Sequence, residues 1–101
     1  MNKYDEVKIT TSDRDKKFKA VFFLDGNKKK TLHFGAKGMK DFTLHNPSVR
    51  EEKKKNYLAR HRVRENWKVP DTAGSLSRWI LWNKPTFEAS LEDYKKRFKL
   101  K

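Results

Sequence analysis

The chain has 101 residues, 35% of them hydrophobic and 39% charged, with 26 Lys and Arg against 13 Asp and Glu for a formal net charge of +13. That length allows one domain and little more, and the lack of cysteine excludes disulfides, Cys-ligated zinc and thiol nucleophiles together. Charge of this size opposes compactness by self-repulsion, and a polyanionic partner relieves it.

The first fifteen residues are polar, with three basic and four acidic groups, so no signal peptide is expected there. Val7 and Ile9 alternate with Lys8, which makes a short candidate strand. From Phe18 the alternation is sustained. Phe18, Ala20, Phe22 and Leu24 fall on one face, and Lys17, Lys19, Val21 and Phe23 on the other. Asp25-Gly26-Asn27 then signals a turn, because Gly and Asn tolerate positive φ. Leu32 and Phe34 return in alternation with Thr31 and His33, so a hairpin spans about 17–34 and a three-stranded meander follows if residues 7–9 join it. Gly35 and Gly38 are expected to end the sheet.

Asn46-Pro47-Ser48 reads as a helix start, with Asn46 capping and Pro47 at the first helical position. The predicted helix runs from 47 to about 66. Glu51 and Glu52 lie in its first turns and Arg60, Arg62 and Arg64 lie late, which suits the helix dipole. Its apolar side is thin, with only Val49, Tyr57, Leu58 and Val63, so much of its surface must meet water or a partner. After Pro70, a cap at Asp71 or Thr72 opens a helix over about 72–82. Pro85 breaks it, and Thr86 caps a last helix over about 86–98 with the stripe Phe87, Leu91, Tyr94, Phe98.

Three Trp, three Tyr and seven Phe supply enough buried area per residue for a small core to close, so a compact domain with charged, mobile ends is expected. No apolar run approaches a membrane span. Charge is uneven along the chain: residues 16–40 carry eight Lys against Asp25 alone, net +7. The positive field therefore belongs chiefly to the middle of the chain.

Two constellations interleave basic and aromatic residues. Lys53, Tyr57, Arg60 and Arg64 recur at helical spacing and form one expected ridge suited to a phosphate backbone, with Lys54, His61 and Lys68 beside it. On the hairpin, Lys17 and Lys19 share a face with Val21 and Phe23, and Lys28, Lys29 and Lys30 follow the turn. A basic ribbon can enter a major groove or ride a backbone, and Phe23 offers a ring for a base. Core packing is the plainer role for most of the rings. His33, His45 and His61 have spacings that match no zinc pattern. Glu92 and Asp93 are adjacent, so a helix points them apart and no carboxylate dyad forms. Asp41, Glu65 and Asp71 are too dispersed in sequence to suggest a metal-dependent phosphoryl-transfer site, and Ser75 and Ser77 lack a cue for a base. Trp79 and Trp82 flank Ile80 and Leu81. Either both sides of this knot are covered within the chain, or one patch meets a second copy.

Several longer stretches carry a family likeness. They are Leu32-His33-Phe34-Gly35-Ala36-Lys37-Gly38 with Asp41-Phe42-Thr43, and Tyr57-Leu58-Ala59-Arg60-His61 with Arg64-Glu65-Asn66-Trp67. Thr72-Ala73-Gly74 follows, then the run from Leu76 through Trp82 to Asn83-Lys84-Pro85-Thr86, and finally Ser90, Asp93-Tyr94 and Arg97-Phe98. Over about 31–98 the chain resembles a family of small basic proteins, of uncharacterised function, found in nucleocytoplasmic large DNA viruses. The resemblance implies a viral setting, in the virion or the infected cell (viral factory, cytoplasm or nucleus), where a large genome needs basic proteins. It implies no active site.

The expectation is therefore an α+β chain, with residues 1–15 as a polar segment and residues 16–101 as one basic domain. Its expected function is non-enzymatic nucleic-acid binding, DNA ahead of RNA, without cofactor, metal or membrane. The expected contacts are Lys17, Lys19, Lys28, Lys29, Lys30, Lys37, Lys53, Lys54, Tyr57, Arg60, His61, Arg64 and Lys68. The alternative is a protein-interaction or virion structural role as a homodimer through Trp79–Trp82.

Overall fold

The computed structural model describes residues 3–38, 42, 45–63 and 65–101. Three antiparallel strands, β1 (Glu6–Thr11), β2 (Lys16–Leu24) and β3 (Asn27–Ala36), form a sheet in the order β1-β2-β3. Three helices follow: α1 (Pro47–His61), α2 (Ala73–Leu76), which runs on as a π turn over Ser77–Leu81, and α3 (Phe87–Phe98). The arrangement is α+β, as the sequence predicts.

The β2–β3 turn is a two-residue one at Asp25 and Gly26, both at positive φ (52° and 79°), and Leu24 pairs directly with Asn27. That conformation matches the twist of a hairpin. A bulge interrupts the register beside Phe22 and Phe23: Phe22 lies opposite Lys30, and Phe23 opposite Lys28. The extra residue keeps Lys28 on the face of Phe23 while Lys30 falls on the face of Phe22. Gly35 does not end the sheet, since β3 continues to Ala36. It holds φ +85°, and a Cβ there would come within 3.0 Å of Leu81 Cδ1 and 3.1 Å of Lys17 Cβ. Glycine lets β3 approach the π turn at this point.

The core lies between the inner sheet face and the C-terminal helices. Val7, Ala20, Phe22 and Phe34 are buried against Leu76, Ile80, Leu81 and Tyr94. Phe87 of α3 stacks on Phe18 with ring centroids 5.0 Å apart, and Tyr94 donates its hydroxyl to the Pro70 carbonyl at 2.7 Å. The stripe expected on the last helix faces this core. Segment 1–15, set apart on composition, contributes β1, Val7 and the buried Tyr4 to the same sheet and core. The C-terminal end is also tied down. Lys99 adopts the left-handed conformation, the Leu100 amide caps α3 on the Lys95 carbonyl, and Lys101 exchanges backbone hydrogen bonds with Asp5 and Val7.

The predicted helix from 47 begins as expected. The Asn46 side chain accepts from the Ser48 amide at 3.0 Å, and Pro47 is the first helical residue. Its first turn holds no carboxylate, because Glu51 and Glu52 fall one turn later. It ends at His61 rather than 66. The Arg62 amide closes the last turn on the Leu58 carbonyl at 3.0 Å, and farther on tertiary bonds hold the chain: the Asn66 carbonyl accepts from Ser75 Oγ at 2.9 Å and the Trp67 carbonyl from Trp79 Nε1 at 2.9 Å.

The expected helix over 72–82 starts on the Thr72 cap. It widens at Ser77, and the Trp82 amide closes the π turn on the Ser77 carbonyl at 3.0 Å. The wider winding buries Ile80 and Leu81 and sends the two tryptophans to separate partners. Trp79 lies under the guanidinium groups of Arg97 (3.7 Å) and Arg78 (4.1 Å). Trp82 stacks on Tyr57 at 4.7 Å and 9°. Both rings are thus engaged within the chain.

Candidate nucleic-acid interface

A thin apolar side leaves α1 few ways to dock, and cations over rings supply the rest. Arg50 and Lys54 lie over the Phe42 ring at 5.3 and 4.9 Å, and Lys54 Nζ donates to the Asn83 carbonyl at 2.8 Å. Burial, with Arg78 and Lys84 nearby and only Glu51 opposing, pushes the Lys54 amine below its ordinary range. One turn on, Tyr57 is buried between Trp82 and His61, with the His61 ring centroid at 4.3 Å. Burial, with Glu65 adding to it, raises the Tyr57 hydroxyl to about 12. Arg50, Lys54, Tyr57 and His61 therefore form the inner face of α1, while Lys53 and Arg60 are exposed.

Along the expected ridge Lys53 and Arg60 are exposed while Tyr57 between them is buried, because its ring is the largest apolar group the helix can offer Trp82. Lys54 and His61 also turn inward. His61 Nδ1 meets Glu65 Oε1 at 3.2 Å, and Glu65 Oε2 accepts the Trp67 indole N–H at 2.7 Å. Gly74 permits this, since a Cβ there would come within 2.7 Å of Glu65 Cδ. Arg64 lies outside the described residues, as do Asp41 and Thr43 of the likeness.

Lys30 likewise serves the fold. Its Nζ donates to the Asp71 carbonyl at 3.0 Å and to Asp71 Oδ2 at 3.3 Å, and the Tyr4 hydroxyl donates to the same carboxylate at 3.1 Å. Burial alone would raise the Asp71 carboxyl, but hydrogen bonds from Tyr4 and Lys30, with the charge of Lys30, hold it below its ordinary value. Lys68 is not beside the helix. It lines a separate cleft of about 430 Å³ with Lys3, Tyr4, Asp71, Arg97 and Lys99.

The other predicted lysines fall on two connected surfaces. Lys19, Val21 and Phe23 of β2 share the outer sheet face with Lys8 of β1 and with Lys28, Thr31 and His33 of β3. None of these residues is buried, whereas the inner positions Val7, Ala20, Phe22 and Phe34 all are. Lys29 and Lys37 are exposed at the two ends of β3. Lys17, the next outward position after Lys19, joins Lys16 at the mouth of a cleft of about 390 Å³ between the sheet end and α1. Across that cleft stand Arg60 and His61, with Tyr57, Leu81 and Trp82 supplying apolar wall and Glu65 its one carboxylate among the described residues. Folding thus brings β2 lysines and an α1 arginine, some 43 residues apart in sequence, onto one opening.

Lys8 and Lys16 were missed in the sequence. Lys8 was visible as the outward residue between Val7 and Ile9. Lys16 carried no signal beyond its neighbour Lys17. Among the described residues, no three His, Asp or Glu side chains come together as a metal-binding group, and no helix is long and apolar enough to cross a membrane.

No curated protein and no solved structure matches the chain. A family model does, over residues 7–61, which takes in the whole sheet and α1. The match includes β1 and β2, which lie outside the likeness over about 31–98, and stops before the motifs quoted from Arg64 onward. It spans more than half of the 101 residues, and the chain belongs to this family, described as a family of unknown function (DUF5754).

Proposed function

We propose that this protein binds nucleic acid without catalysing a reaction, DNA ahead of RNA, mostly through its phosphates. The observation that carries the reading is the cleft where Lys16 and Lys17 of β2 face Arg60 of α1 over an apolar wall. Cations held on separate rigid elements keep their spacing, so they meet a phosphate backbone without first ordering a flexible tail. The net charge of +13 supplies the long-range attraction, and counterion release supplies the affinity. Lys19, Lys28, Lys29, Lys37 and Lys53 extend the positive surface, and Lys68 lies on a separate cleft. Lys30, Lys54, Tyr57 and His61 support it from within. The viral setting, in a virion or an infected cell, rests on the likeness of residues 31–98 and is part of the same proposal.

A mobility-shift assay at low salt tests the reading. Wild-type protein retards labelled duplex and single-stranded DNA, and the combined substitutions Lys16→Ala and Arg60→Ala weaken the shift about ten-fold. No shift with duplex DNA, single-stranded DNA or RNA overturns the proposal.

A further inference from the structure

We infer that the preferred ligand is a single strand lying along the outer sheet face, with a base on Phe23; this rests on the nucleic-acid reading above. A two-stranded ribbon fits a major groove. Here β1 flanks β2 on one side and β3 on the other, so the basic face belongs to a wider, three-stranded surface. Such a surface is a platform, not an insertion element. Single-strand binders combine cations that track the backbone with rings on which unpaired bases stack.

The outer face has both. Phe23 is partly exposed, paired across the strands with Lys28 and overlain by Lys8 Nζ at 5.2 Å from its centroid. An exposed cation over a ring is a weak contact. A base stacking on Phe23 displaces that ammonium only as far as the adjoining phosphate. From Phe23 the outward positions Val21, Lys19 and Lys17 follow along β2 to the cleft at Arg60. At ~3.3 Å per residue this track is about 20 Å long, which suits a site of a few nucleotides. Glu6, opposite Phe23, is the one carboxylate at an outward position of the three strands. The charge of the track is therefore complementary to a strand of phosphates along its length.

The test is fluorescence anisotropy with a labelled oligodeoxythymidine of about eight nucleotides, the matching oligouridine and a short DNA duplex. Wild-type protein binds the single strands more tightly than the duplex. Phe23→Ala weakens the single strands about ten-fold and leaves the duplex within about two-fold. Phe23→Leu, which keeps an apolar side chain but no ring, gives the same loss and guards against a folding defect; circular dichroism of both variants matches wild type. Equal losses for duplex and single strand, or no loss with either variant, overturn the single-strand platform while leaving nucleic-acid binding standing. Absence of binding to all three probes overturns both.

Discussion

Asp71 shows how one carboxylate can fix three parts of the chain. It receives Tyr4 from the N-terminal segment and Lys30 from β3 while sitting just before α2. Its stabilisation is present in full above the unfolded carboxylate value near ~4 and is lost as pH falls through the lower folded value. Asp71→Asn should therefore cost about 1 kcal/mol at neutral pH, a figure kept small by the solvent that reaches Lys30. The deficit should shrink steadily as pH falls below the ordinary carboxylate range. Urea unfolding of both proteins across an acid series checks this; a deficit that stays constant into acid removes the charge from the explanation. The partners were not legible from the residues alone. Lys30 reads as one of three turn lysines; alternation puts it on the face of Leu32 and Phe34, but no local signal marks Asp71, 41 residues on, as its acceptor.

At the scale of elements, α1 is the instructive case. Its start was legible because Asn46 and Pro47 are local signals, satisfied by the helix's own amides. Its end was not, because no Gly or Pro directly follows His61, and the chain beyond it is held by bonds from the Asn66 and Trp67 carbonyls to side chains nine and twelve residues away. The same distinction governs its faces. Lys53 and Arg60 are exposed, but the burial of Tyr57 was not legible, because the partner that claims it, Trp82, caps the π turn far along the chain. Tyr57→Ala should remove the central anchor of α1 and cost about 3 kcal/mol. Lys53→Ala, on the exposed face of the same helix, should leave stability unchanged. Chemical denaturation midpoints compare them, and equal midpoints for the two variants would show that α1 docks by some other contact. Alternation made the strands the most readable elements, since the burial of Val7, Ala20, Phe22 and Phe34 follows period two.

For the whole molecule, the charge has a layout that composition could not give. The sequence assigned it to a hairpin and a helix; the fold joins part of each at one cleft, diverts Lys30 and Lys54 to structural work and leaves Lys68 on a separate cleft. In the Trp79–Trp82 knot, Trp79 packs under Arg97 and Trp82 stacks on Tyr57. The central claim is that the assembled cations bind phosphates, and its most direct measurement is the slope of log affinity for DNA against log salt. Each phosphate neutralised contributes about −0.9 to that slope on duplex DNA. The account predicts a wild-type slope of about −3 or steeper, flattened by roughly 2 to 3 when Lys16, Lys17 and Arg60 are all changed to Ala. Affinity that does not vary with salt, or a slope the three substitutions leave untouched, would contradict it.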